Sequence, residues 1–146
     1  MQVAHTETDG QATSTGPLMH YMVDRYYHDM MPYANLDMEE IFDKVKNIPY
    51  HADPEDAETI MRPLYTMNSV GSGGDCDDKA IAIAAWAKIN RIPYRFVAVR
   101  AFGRPVLHHV YTEIYKPAIG GWIPMDATYS VNTLGQAGDY VEHVII

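Results

Sequence analysis

The sequence predicts an α+β domain, with helices in its first part and an antiparallel sheet in its second. Up to about Asn90 the apolar residues recur at helical spacing, and the longest such segment is rich in alanine. After Arg91 the pattern changes to alternation and to short apolar runs separated by turn residues, which is typical of strands. Because helices and strands do not alternate along the chain, the pattern favours α+β.

Length and composition indicate one soluble globular domain. The 146 residues are enough to bury a core without disulfides, and 47% hydrophobic and 21% charged residues are ordinary values. Residues 1–16 are polar and rich in Thr, Gln, Gly and Ser, so we expect a disordered tail there. The predicted domain is therefore 17–146.

Charge and hydropathy exclude two classes of partner. A net charge of -8 argues against nucleic acid, because phosphate binding needs a basic surface. No apolar run approaches the roughly 20 residues of a membrane span, so no membrane partner is expected. The one cysteine cannot form an internal disulfide, and the first residues lack the layout of a signal peptide. We expect a cytoplasmic protein.

Four helices are predicted ahead of the sheet. The first runs from Leu18 to Met31 and ends at Pro32. The second follows Asp37 and Glu40, which are spaced like a capping box, and has an apolar stripe. That stripe consists of Ile41, Phe42 and Val45.

The third predicted helix begins after Asp53, with Pro54 at its first position. Its apolar face would carry Ala57, Ile60, Met61 and Leu64, and Pro63 would end or kink it. The fourth follows Cys76 and runs to about Asn90.

The stretch Gly71–Lys79 is central, because it places the one cysteine where a glycine-rich loop enters a helix. Free amides and the dipole at a helix N-terminus stabilise a thiolate at Cys76. The carboxylates of Asp75, Asp77 and Asp78 oppose it by repulsion. An imidazolium partner is therefore needed.

Four strands are predicted after the cysteine helix. They are Tyr94–Arg100, Leu107–Tyr115, Trp122–Asp126 and Tyr140–Ile146. Neighbouring side chains of a strand point to opposite faces, so only one of His108 and His109 can face the helix. The third strand ends on Asp126, and a cross-strand pair can bring this carboxylate beside the imidazole. Thiol catalysis needs such a base and a group that holds it.

Three motifs resemble the transglutaminase-like superfamily: Gly74-Asp75-Cys76-Asp77-Asp78, His109-Val110-Tyr111-Thr112-Glu113, and Gly121-Trp122-Ile123-Pro124-Met125-Asp126-Ala127-Thr128. The resemblance covers about residues 36 to 130 and is strongest to small stand-alone members of bacteriophages and prophages. It implies a papain-like core in which the cysteine helix packs on the sheet. It also implies a catalytic triad of Cys76 as nucleophile, His109 as general base and acid, and Asp126 as orienter, with His108 as a bystander. The calcium-binding and flanking domains of animal transglutaminases have no counterpart here.

The resemblance implies a cysteine-dependent hydrolase, either peptidase or amidase, or an acyltransferase. Such an enzyme acts on amide bonds of a protein or peptide through a thioester, in the host cytoplasm or the virion if phage-encoded. The alternatives are a transglutaminase and a non-catalytic phage structural or host-interaction protein that keeps the fold.

No cofactor or metal is expected. The three aspartates crowd one helical turn, where capping is a better explanation than a cation site. The remaining histidines lack the spacing of metal ligands; these are His5, His20, His28, His51 and His143. An oxyanion hole would use the Cys76 amide and one upstream donor that the sequence does not identify.

Overall fold

The computed structural model describes residues 3–7, 15–52, 57–68 and 74–146. In this part of the chain, an α-helix of eleven residues leads into a 3-10 helix at Tyr27–Tyr33. A second, short 3-10 helix spans Pro117–Ile119. The helices are α1 Gly16–Tyr26, α2 Met38–Lys46, α3 Pro63–Asn68 and α4 Cys76–Ile89. The strands are β1 Val3–Glu7, β2 Ala57–Met61, β3 Tyr94–Arg100, β4 His109–Lys116, β5 Gly121–Met125 and β6 Glu142–Ile145.

The four C-terminal strands form one antiparallel sheet in the order β5-β4-β3-β6. This confirms the predicted α+β class, with helices first and the sheet after. The register pairs Val99 with His109 and Thr112 with Met125. Asp126 therefore follows directly after an edge strand that pairs with the strand of His109.

Helix α4 is the centre of the core. Its residues from Ala80 to Ala87 are all buried, because α1, α2, α3 and the sheet pack around it. A helix that is apolar on every side is the expected solution for an element covered on every side. The sheet-facing side is tied by a hydrogen bond from Thr112 Oγ1 to the carbonyl of Ala80, at 2.7 Å.

Helix α2 has the predicted start and the predicted apolar stripe. The Asp37 side chain accepts from the Glu40 amide at 2.8 Å, and Glu40 accepts in return from the Asp37 amide at 3.0 Å. Ile41, Phe42 and Val45 are buried. A reciprocal cap at a helix start is therefore a reliable local signal.

The helix predicted across Ala57–Leu64 is wrong. Ala57–Met61 form β2, and Pro63 begins α3 instead of ending a helix. The apolar residues follow the helical period, but antiparallel pairing with β1, which places Ala4 opposite Ile60, makes this segment a strand. Proline is well suited to the first turn of a helix, where no amide donor is needed. The proposed cap at Asp53 and Pro54 lies outside the described residues.

Two further segments differ from the predicted boundaries. Val3–Glu7, inside the segment expected to be a tail, form β1 and pair antiparallel with β2. The first helix ends at Tyr26 and continues as the 3-10 helix Tyr27–Tyr33, so Pro32 lies inside this element instead of ending it. Across the described part of the chain, no helix has both the length and the apolar character needed to cross a bilayer.

Candidate active site

A buried reciprocal cap fixes the start of α4 at Cys76. The Asp78 amide donates to Asp75 Oδ1 at 3.3 Å, and the Asp75 amide donates to Asp78 Oδ2 at 3.2 Å. The other Asp78 oxygen accepts from the Met61 amide at 3.0 Å, which ties β2 to the same turn. Cys76 thus occupies the first position of a helix whose entry is held by side chains, and its amide is one of the first-turn donors without an intrahelical acceptor.

Three aspartates lie close to Cys76, but they repel a thiolate less strongly than three ionised carboxylates would. Burial, followed by the charge of Asp75, raises the pKa of Asp78 well above its usual range. Asp78 can therefore keep its proton where an exposed aspartate would lose it. The carboxylate atoms of Asp75, Asp77 and Asp78 lie within 4.8 Å of one another, and oxygens of Asp75 and Asp78 accept the capping amides. Helix capping, as the sequence predicts, accounts for Asp75 and Asp78.

The chain before Cys76 lies against the segment around Tyr50. The Gly74 amide donates to the Pro49 carbonyl, and the His51 amide donates to the Gly74 carbonyl, both at 3.0 Å. A Cβ at Gly74 would stand 3.1 Å from the Cβ of Asp78, so only glycine fits here without a shift of the cap. Residues 71–73 of the predicted glycine loop lie outside the described residues.

His109 and Asp126 form a buried pair. His109 Nε2 lies 2.8 Å from Asp126 Oδ2, and the two residues are only 7% and 5% exposed. Burial alone would raise the pKa of Asp126, but the hydrogen bond and charge of His109, together with the bonds of Thr128, lower it. Asp126 Oδ1 accepts from the Thr128 hydroxyl at 2.6 Å and from its amide at 3.2 Å. An ionised carboxylate only accepts, so Nε2 carries a proton and Nδ1 is the ring nitrogen not engaged by Asp126.

His108 is engaged elsewhere. Its Nε2 accepts from the Ala101 amide at 3.1 Å, on the turn between β3 and β4. Burial, then the charges of Arg104 and His109, lower the pKa of His108. The structure therefore pairs His109, and not its neighbour, with Asp126.

The predicted reason for separating the two histidines needs one correction. Thr112 hydrogen-bonds to α4. Val110 lies on the same face of β4 and packs with Ile81 and Ala84 in the core. His109 lies on the opposite face of β4, together with Tyr111. The imidazole therefore lies on the sheet face turned away from the body of α4.

Three tyrosines line the site. The rings of Tyr129 and Tyr140 stack on His109, with centroids 6.4 and 6.1 Å away. The Tyr50 ring lies 5.1 Å from that of Tyr129. These tyrosines, which the sequence analysis did not single out, connect the imidazole to the segment that pairs with Gly74.

Two of these tyrosines connect Cys76 to the cluster around His109. Burial, then the charges of Asp126, Tyr129 and Cys76, raise the pKa of Tyr140 to about 12. The pKa of Tyr50 is also raised, by burial first, then by Tyr129 and Cys76. Cys76, which is half-buried, thus lies within electrostatic reach of two of the tyrosines around His109. Of the predicted site residues, the structure brings His109 and Asp126 into direct contact.

Two cavities flank Tyr129. One of about 210 Å³ is lined by Asp126, Tyr129 and Tyr140, and one of about 470 Å³ is lined by Tyr50, Lys79 and Tyr129. Tyr50 and Tyr129 are 45% and 46% exposed, so solvent reaches the rings between them. The aromatic side of the site, between Tyr50 and Tyr129, is therefore open to solvent.

One comparison with known proteins identifies the family of the chain. The family model described as the transglutaminase-like superfamily matches residues 25–127. Among solved structures, the chain is similar to a candidate cysteine protease from Cytophaga hutchinsonii, with 15% identity and a TM-score of 0.49. That similarity covers 97% of this chain and 54% of the other, so the chain spans about half the length of that protein. A search of curated proteins found no match. The family match extends over most of the chain and includes Cys76, His109 and Asp126, and the protein belongs to the transglutaminase-like superfamily.

Proposed function

We propose that the protein is a cysteine-dependent hydrolase or acyltransferase that cleaves amide bonds through a thioester at Cys76. The observation that carries this proposal is the buried contact between His109 Nε2 and Asp126 Oδ2 at a site shared with a helix N-terminal cysteine. A base held by a carboxylate beside a thiol is the arrangement that nucleophilic catalysis requires.

The proposed first half-reaction forms the thioester. Cys76 Sγ attacks the carbonyl carbon while its proton passes to His109 Nδ1, the nitrogen not used by Asp126. The new oxyanion accepts from the Cys76 amide at the start of α4. When the tetrahedral intermediate collapses, the C–N bond breaks and the imidazolium returns the proton to the leaving amine. The ionised Asp126 stabilises the imidazolium throughout.

The second half-reaction releases the acyl group. Water attacks the thioester carbonyl while His109 takes the water proton. When this second tetrahedral intermediate collapses, the C–S bond breaks, the carboxylic acid leaves, and the imidazolium returns the proton to Cys76 Sγ. Water is the acceptor that we favour, because Tyr50 and Tyr129 are nearly half exposed and solvent reaches the site between them. Peptidase or amidase activity on a protein or peptide is therefore our first choice. An amine in place of water would make the same site a transglutaminase.

The test is to trap the thioester and to identify the acceptor. The wild-type chain and Cys76→Ala are incubated with an activated acyl ester and with a peptide library, and the intact mass is measured with and without a primary amine. We expect an acyl adduct on the wild type, none on Cys76→Ala, and free acid as product. Amide product formed with the amine would assign a transglutaminase. A wild type that never acylates while remaining folded would leave the non-catalytic alternative.

A further inference from the structure

Lys79 is a buried cation on the helix of the proposed nucleophile. It lies one turn after Cys76 and is 1% exposed, in a helix whose next eight residues are buried and apolar. Lysine is almost never fully buried unless its charge is satisfied, because removing an ammonium from water is unfavourable. An apolar side chain of similar length would suit the position if packing were its only role.

The ammonium of Lys79 is satisfied by backbone carbonyls from two separate segments. Nζ donates to the carbonyl of Ile48 at 2.5 Å and to that of Thr128 at 2.9 Å, with Lys46 as a longer third acceptor at 3.4 Å. Three donors meet three acceptors, which matches the capacity of an ammonium group. Lys79 therefore joins α4 to the end of α2 and to the loop after β5.

Both segments lead directly into the proposed active site. Ile48 precedes Pro49 and Tyr50, which pair with Gly74 just before the nucleophile. Thr128 donates twice to Asp126 Oδ1, leaving Oδ2 for His109. A continuous set of hydrogen bonds thus runs from the cysteine helix through Lys79 and Thr128 to the carboxylate that holds the imidazole. Burial lowers the pKa of Lys79 to about 8, and the charge of Asp126 opposes this change.

We propose that Lys79 is a positioning residue, which holds the Asp126–Tyr129 loop and the Ile48–Tyr50 segment against the cysteine helix and thereby aims Asp126 at His109. This inference rests on the proposed function, since it assigns Lys79 to the same site. Lys79 contacts neither substrate nor the reacting atoms; it acts through Thr128 and Asp126.

A double-mutant cycle between Lys79→Met and Asp126→Asn tests this action on turnover. If Lys79 acts through Asp126, Lys79→Met lowers kcat about tenfold or more in the wild type, with little change in KM, and less than about threefold in the Asp126→Asn background. Equal losses in both backgrounds would show that Lys79 serves packing alone and would overturn the inference. Lys88→Met, on the same helix with the same change of charge, is the matched control and should keep wild-type kcat.

A second readout does not depend on turnover. The buried Nε2–H of His109, donated to Asp126, should give a downfield, slowly exchanging imidazole proton resonance in the wild type and in Lys88→Met. Lys79→Met should lose it. If Lys79→Met does not fold, Lys79→Gln removes the ammonium that donates to the Thr128 carbonyl and should lose it too. Persistence of the resonance in either folded variant overturns the inference. An inactive wild type that shows the resonance contradicts only the proposed function.

Discussion

The two ends of α4 differ in how they hold their polar side chains. At the N-terminal end Asp75, Asp77, Asp78 and Lys79 are all buried, whereas at the C-terminal end Lys88 pairs with Asp24 on the surface, at 2.7 Å. Buried polar groups are unfavourable unless they are fully hydrogen-bonded. A cluster of them at one end of a helix is therefore not expected if the helix serves only as part of the core. The proposed site therefore lies at the N-terminal end of α4, where buried polar side chains are stable only if they have hydrogen-bond partners.

The largest expected effect separates chemistry from structure at Asp126. Asp126→Asn removes the charge that fixes the imidazole while keeping the shape of the side chain, so turnover should fall by orders of magnitude, on the order of 10⁴ for an analogous substitution. Asp24→Asn, on α1 beside the C-terminal end of α4, should leave turnover unchanged. The measurements are kcat and a melting curve for each variant. Normal turnover in Asp126→Asn would remove this residue from the mechanism.

The next effect concerns the pH dependence of stability at Lys79. Its pKa in the folded protein is about 8, below the value of about 10.4 in an unfolded chain. Between these values the unfolded chain binds more protons, so Lys79 adds stability as the pH rises through this window, by about 3 kcal/mol at most. Urea unfolding of the wild type and of Lys79→Met at several pH values should show a difference in free energy that grows from pH 8 to 10.

Lys88→Met should reproduce the pH dependence of the wild type, because its partner Asp24 is on the surface. A Lys79→Met profile parallel to that of the wild type would show that the ammonium of Lys79 titrates as it does in solvent, and would contradict its burial.

A smaller effect compares the two capping boxes. Asp75 is 5% exposed, while Asp37 is on the surface, although both accept the amide three residues later. Asp75→Ala should lower the free energy of unfolding by about 2 kcal/mol, and Asp37→Ala by about 0.5–1 kcal/mol. Chemical unfolding of both variants measures the difference. Equal losses would show that burial adds nothing to the cap before Cys76.

The smallest effect is expected at the C-terminal end. Lys88 and Asp24 are 36% and 64% exposed, so solvent screens their attraction. Lys88→Met should change the free energy of unfolding by about 0.5 kcal/mol or less. A loss above about 1 kcal/mol in the same unfolding assay would remove the contrast between the two ends of α4.

Local features of the site could be predicted from the sequence. The cap at Asp37, the start of α4 at Cys76 and the strand pattern of β3 depend on residues within a few positions of one another. The family motifs then predict His109 and Asp126 as partners, a pairing that short-range sequence patterns do not predict.

Other features depend on contacts between distant segments and left no local signal. The β2 strand is selected by pairing with β1, and Tyr50 reaches the site through its bridge to Gly74. Lys79 resembles a surface lysine in the sequence, and only its carbonyl partners at Ile48 and Thr128 show its position. The apolar residues of Ala57–Met61 follow the helical period, so the pattern alone predicts a helix there.

The central claim is that His109, held by Asp126, activates Cys76. The direct measurement is the rate at which iodoacetamide alkylates Cys76 at pH 6, where a free thiol with a pKa of about 8.5 is almost entirely protonated. The account predicts that the wild type and His108→Ala react far faster than glutathione and that His109→Ala does not. A wild type no faster than glutathione, or loss of reactivity in His108→Ala with retention in His109→Ala, would contradict it.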